Sequence, residues 1–236
     1  MKKAVLYLIP TSLGEAPMQE IIPGIVKDIV SNLSYFIVEN EKTARRYIKQ
    51  ICPEKKQADI TVFQLNKHDK YEGLNDFIIP LIQGNDVGLL SEAGLPAIAD
   101  PGSLLVALAH KNGIKVKPLT GPSSLMLALM ASGLNGQKFS FEGYLPKDAG
   151  ELKRKIKFLE QLSSKESSAK ICIETPYRNN KLFDNFIKYL HPETRLCVAC
   201  DLTLETEFIK TLRVKEWKKQ KPDLHKRPAV FIFQAD

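Results

Sequence analysis

Apolar residues in this chain gather into short runs, and between the runs they recur at helical spacing. AVLYLI (4–9), YFIVE (35–39), ITVFQL (60–65), DVGLL (86–90) and IKVKPL (114–119) are rich in β-branched and aromatic residues and read as strands. Helix-like periodicity fills about 18–31, 41–50, 71–83 and 103–111, and Gly113 stands as a helix stop before the fifth strand. Five strands alternating with helices predict a mostly parallel sheet covered on both faces. Pro118-Leu-Thr-Gly-Pro122 then interrupts the pattern. An apolar helix from Ser123 to Ser132 follows, stopped by Gly133, and then the strand FSFEG. Beyond it come a charged helix at about 151–162, the strand AKICIE, a helix at 178–190, the strand RLCVACD, a helix near 203–219 and the closing strand AVFIFQ.

The prolines and glycine at 118–122 are the best boundary in the chain. They predict an N-terminal α/β domain over 1–119 and a C-terminal α/β domain over 120–236. The expected fold class is therefore α/β, with two domains of mostly parallel or mixed sheets and a ligand cleft between them. The 236 residues are 44% hydrophobic and 26% charged, an ordinary globular balance. No apolar run reaches the roughly 18 residues of a membrane span, and the opening MKKAVLYLIP reads as the first strand rather than a secretion signal. A cytoplasmic protein with no membrane contact is expected. Of four cysteines, Cys197 and Cys200 have metal-ligand spacing, but no second pair or His cluster completes a site, so no metal is expected.

The net charge of +7 permits a polyanionic partner without requiring one. Basic residues cluster at Lys42, Arg45, Arg46 and Lys49, at Lys147 to Lys157, and at Lys215 to Arg227. Neither a G-x-G-x-x-G dinucleotide turn nor a phosphate loop follows the first strand. The loop SEAGLPAIADPG (91–102) instead lies after the fourth strand, where open α/β sheets place ligands.

IPTSLG (9–14), SEAGLPAIADPG (91–102), TGPSSLMLALMASGL (120–134), FEGYLP (141–146) and ETPYR (174–178), taken in order, resemble the tetrapyrrole methylase superfamily. Within it they are most similar to the ribosomal RNA small-subunit methyltransferase I branch, as a divergent member. The resemblance implies two α/β domains, a homodimer, S-adenosylmethionine as cofactor, and transfer of its methyl group to a ribose 2′-hydroxyl of small-subunit ribosomal RNA. It also implies that Pro10, Glu92, Gly94, Leu95, Ser124, Leu125 and Ala229 bind the cofactor, with Glu92 standing where the branch has Asp. A sulfonium is already activated, so alignment rather than a metal supplies the acceleration.

The acceptor side departs more. VENEKTARRYI (38–48) keeps Glu39 and Arg45 but carries Asn40 and Lys42 where the branch has Asp and Arg. Glu39 is the first candidate for the base that removes a hydroxyl proton; its alternative is a structural carboxylate paired with Lys42 or Arg45. Glu174 and His68 are weaker candidates for that base. Lys42, Arg45, Arg46, His68 and Arg178 are the candidate RNA contacts. Two other readings stay open: a C-methyltransferase for a tetrapyrrole, and a non-catalytic relative that holds the cofactor or RNA.

Overall fold

The structure, a computed structural model, describes residues 4–65 and 74–235. The chain divides into two compact units, Met1–Ser123 and Ser124–Asp236.

The first unit is built on strands β1 (Val5–Ile9), β2 (Tyr35–Val38), β3 (Thr61–Gln64), β4 (Val87–Leu90) and β5 (Lys115–Pro118). They form one sheet in the order β3-β2-β4-β1-β5, every pair parallel. The helices are α1 (Met18–Ile21), α2 (Gly24–Asn32), α3 (Glu41–Ile51), α4 (Asn75–Ile82) and α5 (Ser103–Lys111). Successive strand residues point to opposite faces, so one strand feeds two cores. Phe36 joins Val26, Val30, Tyr47 and Ile48 of α2 and α3 on one face. Its neighbour Ile37 joins Ile78, Leu81, Leu105 and Leu108 of α4 and α5 on the other. Both are fully buried, each worth roughly 1.5–3 kcal/mol. The sheet is thus covered twice, as the apolar runs predict. The helix expected over 18–31 is broken in two because Pro23 has no N–H to continue it.

The second unit has strands β6 (Phe139–Tyr144), β7 (Ala169–Ile173), β8 (Arg195–Cys200), β9 (Phe208–Arg213) and β10 (Ala229–Gln234), in the order β6-β7-β10-β8-β9. Only β6 and β7 run parallel; the other pairings are antiparallel. Helix α6 (Ser124–Ser132) packs along β10, β9 and β8. Helices α7 (Ala149–Glu166), α8 (Asn179–Tyr189) and α9 (Val214–Trp217) close a core with Phe183, Phe186, Phe231 and Phe233.

The helix expected near 203–219 is not there. Phe208-Ile-Lys-Thr-Leu-Arg213 is strand β9, paired along its whole length with β8, and only Val214–Trp217 is helical. The lysine-rich end at 215–221 suggested a solvated helix, whereas the preceding six residues have the composition of a strand beside an available edge. The division between units also falls at Ser123, past residue 119. The reason is local: Leu119 N–H donates to Leu8 O at 3.0 Å, and Gly121 packs on Pro10, which keeps 119–122 with the first sheet.

Candidate functional site

The loops after β1 and β4 are laced together at the carboxyl edge of the first sheet. Thr11 N–H donates to Gly94 O at 2.9 Å and Gly94 N–H returns to Thr11 O at 3.2 Å, an antiparallel bridge joining the ends of two parallel strands. Gly94 sits at φ +76°, where a side chain is strained, and a Cβ there would meet Leu13 at 3.2 Å and Pro122 O at 3.5 Å. Both of its backbone polar groups are committed to Thr11, so its amide is not free to bind a ligand.

Pro10 is held from two sides. Its carbonyl accepts the Tyr47 hydroxyl at 2.6 Å, and its ring rests on Gly121, where a Cβ would come within 2.1 Å of Pro10 Cβ. Burial pushes the Tyr47 phenol well above its ordinary range, so it remains a donor.

The second feature is a topological switch. The chain leaves β2 toward β3 in one direction and β4 toward β5 in the other, so the crevice of this sheet opens between β2 and β4. Glu39 follows β2 and Glu92 follows β4. Glu92 N–H donates to Glu39 Oε1 at 3.3 Å, and Gln64 Nε2 donates to Glu39 O at 3.1 Å. Glu92 Oε1 accepts the Thr43 hydroxyl. Thr43 lies in the first turn of α3, where the helix favours a carboxylate. Asn40 caps that helix, accepting from the N–H groups of Lys42 and Thr43 at 2.9 and 3.2 Å. The Glu92 side chain therefore ties the β4 loop to α3, and Asn40 serves as that helix's cap.

The cations sort by their partners. Arg45 Nε donates to Glu41 at 2.7 Å, and its other nitrogens reach Gln57 O at 3.0 Å and Ile60 O at 3.5 Å, so it ties α3 to the approach to β3. Lys42 and Arg46, on the same helix, are exposed. Arg178 pairs with Glu174 at 2.6 Å in the second unit. Also in that unit, Ser124 and Leu125 open α6, and Ala229 starts β10 opposite Cys200. Leu95 is half-buried in the β4 loop, and His68 lies outside the described residues. Within the first unit the structure thus gathers Pro10, Glu39, Glu92 and Gly94 at one sheet edge. Sequence reasoning missed Thr11, Thr43, Tyr47, Ser91 and Gly121. Thr11 Oγ1 donates to Ser91 O at 3.4 Å, an interaction spanning 80 residues that no local pattern signals.

Among the described residues, no group of three or more His, Cys, Asp or Glu is placed to hold a metal ion. The three-residue spacing of Cys197 and Cys200 puts them on opposite faces of β8, and burial raises both thiols, Cys200 to about 11. Among the described residues, no helix is long and apolar enough to cross a membrane.

The sequence signature of the tetrapyrrole (corrin/porphyrin) methylases matches residues 28–217. A ribosomal RNA small subunit methyltransferase I of Vibrio cholerae is 31% identical over 212 residues, covering 90% of this chain and 69% of that protein. That of Haemophilus influenzae is 31% identical over 176 residues, 73% of this chain and 61% of the relative. That of Buchnera aphidicola is 27% identical over 243 residues, 98% of this chain and 78% of the relative. The chain thus spans 61% to 78% of the length of these relatives. Two solved structures share its fold: the methyltransferase CobJ (TM-score 0.64, 13% identity, 100% of this chain and 95% of that one) and diphthine synthase (TM-score 0.69, 16% identity, 98% and 90%).

Proposed function

The chain belongs to the tetrapyrrole (corrin/porphyrin) methylase family, and from that premise we propose that it methylates a ribose 2′-hydroxyl of small-subunit ribosomal RNA, with S-adenosylmethionine as donor. The observation that carries this reading is the pair Glu39 and Glu92 at the β2–β4 switch, beside the exposed cations Lys42 and Arg46 of α3. The relatives' names support RNA as the acceptor.

The residues present fit the cofactor. The exposed Glu92 carboxylate, two residues before the Gly94–Thr11 bridge, suits a cationic sulfonium. When bound, the sulfonium supplies an activated methyl group, so that forming the oxygen–methyl bond breaks the methyl–sulfur bond without a metal. By likeness to the family, Pro10 and Leu95 join Glu92 and Gly94 in holding it. Glu39, fixed by the Glu92 N–H, accepts the hydroxyl proton, and its close hydrogen bond matters more than a matched pKa. Lys42 and Arg46 neutralise phosphates, which positions RNA without reading its sequence. The working form is a cytoplasmic homodimer, to be checked by light scattering.

The test is methyl transfer from radiolabelled S-adenosylmethionine to small ribosomal subunits from a strain lacking the protein. Label in RNA that resists alkaline cleavage supports the reading. Intact cofactor binding with no label in RNA overturns it.

A further inference from the structure

The second unit carries an opening of its own, at the carboxyl ends of the parallel strands β6 and β7. A cavity of about 360 Å³ there is walled by Leu145, Pro146 and Leu152 and lined by Lys147, Arg178 and Lys181. Glu174 is the one carboxylate among its lining residues. Its side chain is 3% exposed, held by Arg178 at 2.6 Å and by the Thr175 N–H at 2.7 Å. One carboxylate against three cations leaves the cavity positive.

The residue before Arg178 is Tyr177, which is 72% exposed, high for an aromatic ring in an ordered turn. His225 meets the ring edge-on at 6.3 Å, and Lys226 Nζ lies 5.9 Å from its centre. The loop that brings them is fixed. Lys226 N–H donates to Pro176 O at 3.2 Å, Leu224 N–H to Asn180 Oδ1 at 2.9 Å, and Asn179 Nδ2 to Arg227 O at 2.6 Å. Lys226 itself is in the left-handed region at φ +60°, a conformation these bonds impose. An exposed aromatic ring is thus held outward, with Lys226 over one face and His225 at its edge, and its chain neighbour Arg178 lines the cationic cavity.

We infer that Tyr177, His225 and Lys226 form a stacking platform for one unpaired base of single-stranded RNA, whose neighbouring phosphate is held by Lys147, Arg178 and Lys181. This rests on RNA being the substrate, and adds a place on the second unit where it is gripped. An open π-face accepts any splayed base, whereas a duplex hides its bases in the stack. An acidic peptide would use the cations but has no need of the ring.

The test uses the full chain and a fluorescein-labelled oligouridylate decamer at low salt, read by anisotropy. Tyr177→Ala should weaken binding about tenfold, as removing one base–aromatic stack does, while Tyr177→Phe keeps it. Replacing Lys147 and Lys181 by Ala should flatten the salt dependence by roughly 0.7 in log–log slope for each phosphate no longer neutralised. Thermal melting should not move, because the ring is exposed. Wild-type affinity in Tyr177→Ala, or an equal weakening for duplex RNA, overturns the platform alone. Polyglutamate competing as well as RNA reassigns it to an acidic protein and overturns it too. A wild-type chain that binds cofactor but no RNA of any form overturns the RNA reading itself.

Discussion

Replacing Gly121 with alanine puts one methyl group where the first unit has no room for it. The new Cβ would lie 2.1 Å from Pro10 Cβ and 2.5 Å from Pro10 Cγ. Carbon atoms rest at about 3.5–4.0 Å, so roughly 1.4 Å has to be made up. Pro10 cannot yield by a rotamer change, since its ring is closed and its carbonyl is tied to Tyr47 at 2.6 Å. The backbone has to move instead, and Thr11 of the Gly94 bridge moves with it. Overpacking of this kind costs about 1–3 kcal/mol, and each kcal/mol lowers Tm by about 2–4 °C in a chain of this size. A displacement of about 1 Å beside the proposed cofactor wall also slows methyl transfer on the order of 100-fold. The assays are calorimetric melting, cofactor titration and transfer rate, with Gly24→Ala as control because a Cβ there meets nothing within 4 Å. A Gly121→Ala protein with wild-type Tm and cofactor affinity would refute both the close packing and its link to the site.

Glu39→Gln should slow transfer at unchanged cofactor affinity; full activity would end its role as base. Lys42→Ala with Arg46→Ala should flatten the salt dependence of RNA binding by roughly 0.7–0.9 per phosphate, with Tm unmoved. Arg45→Ala should do the reverse, lowering Tm and leaving the slope, because its guanidinium holds Glu41, Gln57 O and Ile60 O. Tyr47→Phe leaves the buried Pro10 carbonyl unpaired and should cost about 1–3 kcal/mol near neutrality, read as a fall in Tm. Burial raises the folded Tyr47 phenol, so its contribution is complete below the ordinary tyrosine pKa near 10 and declines as pH rises past it. Denaturant titrations above pH 10 should show that decline in the wild type and a shallower one in Tyr47→Phe.

The strands and faces of the first unit were legible because each apolar run is short and its residues alternate between two helical layers, as Phe36 and Ile37 do. Strand β9 was not, because Phe208-Ile-Lys-Thr-Leu-Arg213 becomes a strand only when β8 offers its edge. The site divides in the same way. Glu39, Glu92 and Gly94 stand out from local motifs, and the fold brings their strands side by side. Arg45 reads in sequence as an RNA contact or a partner of Glu39, yet its partners Gln57 O and Ile60 O arrive only through the turn after α3. Gly121 reads as a linker glycine, although its constraint comes from Pro10, at the far end of the same unit's sequence.

The place of β10 bears on how the chain is made. It is the last of the ten strands among the described residues, yet it lies in the middle of its sheet, bonded to β7 along one edge and to β8 along the other. During synthesis β7 is complete roughly 60 residues before Gln234 emerges, an interval of about 3–12 s at 5–20 residues per second. Through that interval the β7 edge stands open, joined once Cys200 is made by the edge of β8, along with the aromatic face that Phe231 and Phe233 will cover. The first unit holds all five of its strands before this wait begins. The second unit is therefore the one exposed to mispairing and chaperone capture, and any arrest or cleavage ahead of Ala229 leaves a finished first unit joined to a sheet without its centre.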